Sequence, residues 1–466
     1  TSGCPEGQLG RFEAVFAVRT EIHKAKEIWK KAHLEEHYMN LDDTTHPDYG
    51  DFINEVFPLF TTEIELTKDF DTDELSELLG YGVGKVEAKS DAGLLYKSRK
   101  NAEVLPQMKL LLIELFNYLA EAADARAVAE EWNWVRLVEM KNKYEIIERE
   151  DYSKKVRNYY VTNTFQNIPV SVLLGIALRD SPTFLEDEKS CSMYKFHPFN
   201  GNMDTVIKKF VLGTDTRPIF YADNVFMKRD GFWLSFDGNK MEASTEPFHQ
   251  VRNLIRAASC VGGGLDVSWY RFIESFYPVM CEAVAVFGAE QLIIPGMATG
   301  INATWFHNHS RMVDGLYSLK KAESKYKINY VKVEDDKVKI HQQLYDVFMR
   351  AGISIKLTQA TSVAEFVRAE GLVRMDLLGW DAVNLSFLGI DCWVAVLTPE
   401  RWKRSFVYAK TAFSQKSAAA ANMDRLAKLR TFYVIGGWLI HGAAEFIRIE
   451  CERLLKGALA INPDFD

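Results

Sequence analysis

The residues best placed to do chemistry lie near the amino end, where His33-Leu-Glu-Glu36-His37 sets two imidazoles one helical turn apart with a glutamate between them. Read in that order, the pattern is the inverted zinc-protease motif, in which both histidines hold the metal and the glutamate activates a water. A helical reading places both rings on one face, as zinc requires. The same spacing puts Lys30 and Lys26 one and two turns behind His33 on that stripe. Two ammonium groups beside a dication are electrostatically wrong. The residues that follow, YMNLDDTTHPDYGD, are polar and acidic, whereas the proteases carry an apolar, glycine-containing segment there. The stretch reads as a solvated amphipathic helix, and the sequence calls for no metal and no cofactor.

Other chemical patterns fail in the same way. Gly80-Tyr-Gly82-Val-Gly84-Lys85 has the look of a phosphate-cradling loop but fits neither glycine template, and it follows a helical pattern rather than a strand. Phe306-His-Asn-His-Ser310 carries two histidines without an acidic or cysteine partner nearby, and reads as a polar loop under aromatic packing. Six scattered cysteines form no C-x-x-C pair and are expected to be reduced thiols. No nucleophile elbow is present. No catalytic residue is therefore assigned.

Charge is segregated. The net charge is −8, but residues 42–91 hold 14 Asp and Glu against 3 Lys, and 401–430 hold 8 Lys and Arg against Asp424 alone. Such an overall balance excludes a protein that neutralises nucleic acid over its whole surface. One basic surface remains, made of Arg401, Lys403, Arg404, Lys410, Lys416, Arg425, Lys428 and Arg430, interleaved with Phe406, Tyr408 and Phe413. Cations for phosphates and rings for stacking suit RNA. Pairing with the acidic 42–91 region, in the same chain or a neighbouring copy, is the competing reading.

Helical periodicity dominates the elements that must position these groups. It runs through 12–38, from Pro106 into the 140s, from Pro247 to about Phe287, and from Thr398-Pro399-Glu400 to about Leu459. Prolines 169, 182 and 198 mark a loop-rich passage. In 218–244, Asp230-Gly231 and Asp237-Gly238 each read as a hairpin turn between short apolar runs, and 329–340 reads as a second hairpin. The fold class expected is mainly α: a large multi-helix protein with a small antiparallel β-meander insertion. The division expected is 1–185 and 250–466 as the helical main domain, with 186–249 a loop and hairpin insertion, a candidate projection. No signal peptide is visible and the longest apolar run, 432–447, is too short to span a bilayer, so a soluble intracellular protein is expected.

In general character, above all in the Trp-, Tyr- and Ala-rich helices from WVAVLTPERWKRSFVYAKTAFSQKS to TFYVIGGWLIHGAAEFI, the chain resembles the capsid proteins of partitivirus-like double-stranded RNA viruses. That resemblance implies a self-assembling shell subunit enclosing an RNA genome, structural rather than catalytic. It implies copies of itself as partners, RNA as the packaged molecule, and a place in the virion and the host cytoplasm. The aromatic content of 12% fits extensive subunit contact. Rival readings are an RNA-coating viral nucleoprotein, a helical scaffold, and a metal-dependent hydrolase with a site assembled from scattered residues.

Overall fold

Short runs of β-branched and aromatic residues, separated by residues that accept positive φ, build the middle of this protein. The structure, a computed structural model, describes residues 47–68, 91–96, 99–142, 158–287, 290–294, 296–301, 303–402, 418–434, 437–439 and 442–461. The His33–His37 motif and the Gly80–Lys85 stretch lie outside these residues.

Along the chain come α1 (Pro47–Val56), α2 (Asn101–Glu121), β1 (Leu137–Asn142), β2 (Asn158–Val161), α3 (Thr164–Leu178), β3 (Ile219–Tyr221), β4 (Asn224–Arg229), β5 (Phe232–Gly238) and α4 (Pro247–Ala258). Then follow β6 (Val284–Phe287), β7 (Glu290–Ile293), α5 (Thr304–Glu323), α6 (Gln342–Met349), β8 (Ile355–Ser362), β9 (Leu372–Leu377), β10 (Trp380–Asn384), β11 (Trp393–Leu397), α7 (Ala418–Val434) and α8 (Ala443–Ile461). The central sheet is antiparallel with strand order β8-β5-β4-β3. A second sheet has the order β2-β1-β6-β7, with β1 and β6 parallel, and a third is the meander β9-β10-β11.

Side chains alternate across the central sheet, so each strand feeds two cores. Phe220, Val225, Met227, Leu234 and Phe236 face the larger one, together with α1 to α6. Ile219, Phe226 and Trp233 face a smaller one, shared with Met375, Ala382 and Trp393 of the third sheet. The strands of residues 218–244 therefore lie between two cores. The β4–β5 turn is the one its sequence announces: Asp230 and Gly231 both take positive φ, +51° and +79°. Asp335 and Asp336 do the same, at +50° and +58°, in the hairpin Val331–Ile340.

The expectation of a mainly helical protein is corrected. About 50% of the structure is helix and 21% is strand, in several sheets. The second sheet escapes a sequence reading because its strands are only four to six residues long and sit beside helical patterns of longer range. The loop-rich passage around Pro169 is also corrected: α3 includes that proline, and all fifteen of its residues are buried. Apolar contact on every side outweighs the one backbone hydrogen bond that proline forgoes.

Helix α5 runs through the middle, packed against α1, α4, α6 and β3. The Phe306–Ser310 stretch is its first half, not a polar loop, and His307 and His309 are fully buried. Farther along, Asp314 accepts from Tyr49 Oη at 2.6 Å and pairs with Arg311 at 2.6 Å and Arg252 at 3.0 Å. Burial alone would push this carboxyl up, but Arg252 and Arg311 outweigh it and hold it below the usual range. Arg311 also donates to Ala351 O at 2.6 Å, which ties α5 to the turn after α6. Asp314→Ala strands a guanidinium that is 1% exposed. It is expected to cost about 3–5 kcal/mol of unfolding free energy in denaturant titration, whereas Asp314→Asn, which still accepts from Tyr49, costs less.

Candidate active site

The turn from β3 to β4 has two residues, Ala222 and Asp223, between the paired positions Tyr221 and Asn224. A turn so short needs left-handed backbone, and Ala222 supplies it with φ +50° despite its Cβ. Asp223 thus stands at the end of the central sheet. Antiparallel pairing brings the end of β5 to the same place: Asn224 is opposite Asp237, and Asp237 is opposite Lys356 of β8. Asn224, Asp237 and Lys356 form a row across three strands, with Asp223 at its edge. The Gly238 N–H donates to Asp223 O at 2.7 Å and fixes the spacing, while Lys356 Nζ lies 2.6 Å from an Asp237 oxygen.

Two acids this close cannot both ionise freely. Burial, then the charges of Asp237 and of Glu242 on the helical turn after β5, push the Asp223 carboxyl up to about 7. Near neutral pH the site therefore carries a proton that a cation would replace. The donors are hard carboxylate oxygens, with one ammonium beside them. Among the described residues no three His, Cys, Asp or Glu side chains form a complete metal cage. A pair of carboxylates with open positions around it suits magnesium or manganese, which keep waters or take substrate phosphates as their remaining ligands.

Behind the turn, His309 of α5 accepts the Ala222 N–H on Nδ1 at 3.0 Å, and its Nε2 lies 2.9 Å from Ser192 Oγ. Phe57, Phe220 and Trp305 surround the ring, at 4.5, 4.3 and 4.6 Å between centroids. Burial, and after it Arg256, hold this imidazole neutral.

The basic residues named from sequence are not at this site's centre. Lys403, Arg404, Lys410 and Lys416 lie outside the described residues. Arg401 is exposed in the short helix Pro399–Trp402, with its guanidinium over Gly379. Arg425, Lys428 and Arg430 lie on α7. Arg425 pairs with Glu450 of α8 at 3.3 Å, so this contact runs to the carboxyl-terminal helix rather than to 42–91, and Arg430 is exposed. Sequence reasoning misses Asp223 and Asp237. The available signal is an Ala-Asp-Asn turn and a Phe-Asp-Gly strand end fourteen residues apart, flanking a hairpin whose register makes the acids neighbours. Asp237-Gly238 reads as a turn because Asp-Gly favours one; in the structure it ends β5 and pairs with Asn224 and with β8.

Comparison with known proteins gives the family. The family described as "Birnavirus RNA dependent RNA polymerase (VP1), palm domain" matches residues 1–310, a span that contains both aspartates. The RNA-directed RNA polymerase of avian infectious bursal disease virus (strain Australian 002-73) is 24% identical over 94% of this chain and 53% of its own. That of infectious pancreatic necrosis virus (strain Sp) is 24% identical over 98% of this chain and 57% of its own. The chain thus spans about half the length of the curated relatives it matches. The solved structure of the polymerase VP1 from infectious pancreatic necrosis virus superposes with a TM-score of 0.75 at 20% identity, covering 98% of this chain and 63% of that one, and shows the same fold. A second, the birnavirus VP1–VP3 complex, gives 0.74. These matches overturn the resemblance to partitivirus-like capsid proteins, and with it the reading of the chain as a non-enzymatic shell subunit. The chain belongs to the birnavirus RNA-dependent RNA polymerase (VP1) palm-domain family.

Proposed function

We propose that this chain is the catalytic palm of an RNA-directed RNA polymerase, with Asp223 and Asp237 as the carboxylates that hold its divalent cations. The observation that carries the reading is the meeting of the two acids at one end of the central sheet, where the strand register sets Asp237 beside the turn that bears Asp223; burial, and after it Asp237 and Glu242, push the Asp223 carboxyl up to about 7. In the reaction a strand's 3′-hydroxyl gives up its proton to water, and its oxygen forms a bond to the α-phosphorus of a nucleoside triphosphate. The bond from that phosphorus to the bridging oxygen breaks, and pyrophosphate leaves with the electron pair. Magnesium or manganese held by these two carboxylates would supply charge neutralisation to the transferring phosphate. Asp223 and Asp237 fix where the cations sit, and Glu242 adds negative charge behind them. Lys356 is the counter-ion of Asp237, and its half-exposed ammonium is available to a triphosphate.

The basic stretch 401–430 serves in this reading as an RNA-backbone contact. Arg401 and Arg430 are its exposed cations among the described residues, and Arg425 is a tether between α7 and α8. A relative's structure holds a second protein, VP3. We carry such a partner over to this chain in place of the copies of itself that a capsid would need, and place the chain with the virus in the host cytoplasm.

Asp223→Asn or Asp237→Asn is expected to lower nucleotide incorporation on an RNA template by about 10²–10³-fold or more, the loss typical of removing one electrostatic stabiliser from a reaction centre. Full activity in either variant overturns the assignment. Asp223 binds its proton more tightly folded than unfolded, where an aspartate titrates near about 3.9. Its contribution to stability is therefore full below about pH 4 and is lost as pH rises through about 7. In chelator, the melting midpoint of the unsubstituted chain should fall between pH 4 and pH 8 relative to that of Asp223→Asn, and magnesium should close the gap at pH 8. Arg401→Ala with Arg430→Ala is expected to weaken RNA binding equally across sequences and to reduce the salt slope by about one for each phosphate no longer neutralised, read by fluorescence anisotropy.

A further inference from the structure

The acid-bearing turn is strained. Ala222 takes φ +50° although it is not glycine, a conformation that residues with a Cβ rarely adopt and that persists only where surrounding groups enforce it. Three contacts enforce it: the Tyr221–Asn224 pairing on the strand side, the Gly238 N–H on Asp223 O, and a side chain from α5. That side chain is His309. Its role follows from hydrogen-bond polarity: a backbone N–H only donates, so the Nδ1 that faces Ala222 must be bare, and the proton sits on Nε2 and is donated to Ser192 Oγ. Ser192 is itself bridged to Phe220, and Met193 N donates to Phe220 O. One ring therefore clamps the turn and the segment beside it from behind, without access to solvent.

We propose that His309 is the positioning residue of the cation site, its Nδ1 holding the Ala222 N–H so that the Asp223 carboxylate is aimed at Asp237. This rests on the reading of Asp223 as a cation ligand. A histidine that merely filled space among Phe57, Phe220 and Trp305 would be replaceable by any ring of similar size. A positioning histidine needs an acceptor at Nδ1. His309→Phe keeps the packing and leaves the Ala222 N–H unpaired, whereas His309→Asn offers Oδ1 close to where Nδ1 stood. Outer contacts of this kind change metal affinity by about 10–100-fold.

The test is Mn²⁺ binding by the purified chain, read from the electron paramagnetic resonance signal of free Mn²⁺, together with hydrogen exchange at the Ala222 amide. The expected result is affinity weakened about tenfold or more and a faster-exchanging Ala222 amide in folded His309→Phe, with most of both restored in His309→Asn. Affinity in folded His309→Phe equal to that of the unsubstituted chain, or no difference between the two variants, overturns the proposal. If His309→Phe does not fold, ¹⁵N resonances of His309 in the unsubstituted chain decide. A bare Nδ1 with a protonated Nε2 supports the clamp, and a protonated Nδ1 overturns it. Asp223→Asn separates the two readings: undiminished Mn²⁺ binding there removes the cation site itself, whereas a loss there with none in His309→Phe removes only the role of His309.

Discussion

The burial of Asp223 beside the negative charges of Asp237 and Glu242 is the constraint around which the centre of this protein is built. Left to themselves, these like charges would drive the end of the sheet apart. The fold opposes them covalently, through a two-residue turn and a hairpin, and electrostatically, through Lys356 and a proton on Asp223. What remains is an anionic site stable enough to persist and unsatisfied enough to attract a dication. That balance is common where a folded chain gives up stability at the place where it works.

The surroundings follow from the need to hold that site still. The central sheet is covered on both faces, so its strands cannot shift register without moving a hydrophobic core. Helix α5 supplies rigidity from behind, and it carries an unusual set of buried polar groups. Its histidines, Arg311 and Asp314 are bonded to Ser192, Ala222, Tyr277, Tyr49, Arg252 and Ala351. A hydrogen-bonded polar network fixes direction where apolar packing alone fixes only proximity.

The range over which each feature is decided explains what was legible in the sequence. The hairpins at Asp230-Gly231 and 331–340, the helices opened by Pro247 and Pro399, and the free thiols at Cys191, Cys260 and Cys281 follow from local rules, because a turn, a cap or an isolated cysteine is decided within a few residues. Helix α5 was illegible because FHNHSRMVD looks solvated when its partners, Tyr49, Ser192 and Arg252, lie far away in sequence. The acid pair was hidden for a related reason: Asp-Gly is a turn signal in isolation, and only pairing with β4 and β8 turns Asp237 into a strand residue facing Asp223. Overall character misleads most. Helical, aromatic-rich and charge-segregated describes a shell protein, and it equally describes a polymerase fold in which helices back a few short strands.

Both acids reside on one β-hairpin and its preceding turn, joined by fourteen steps of backbone that never leave the sheet. Whatever hinge bending or closure the wider molecule undergoes, the two travel as a single rigid piece and their separation is preserved. Conformational changes elsewhere can therefore regulate what reaches the two carboxylates, but not the spacing of the pair itself.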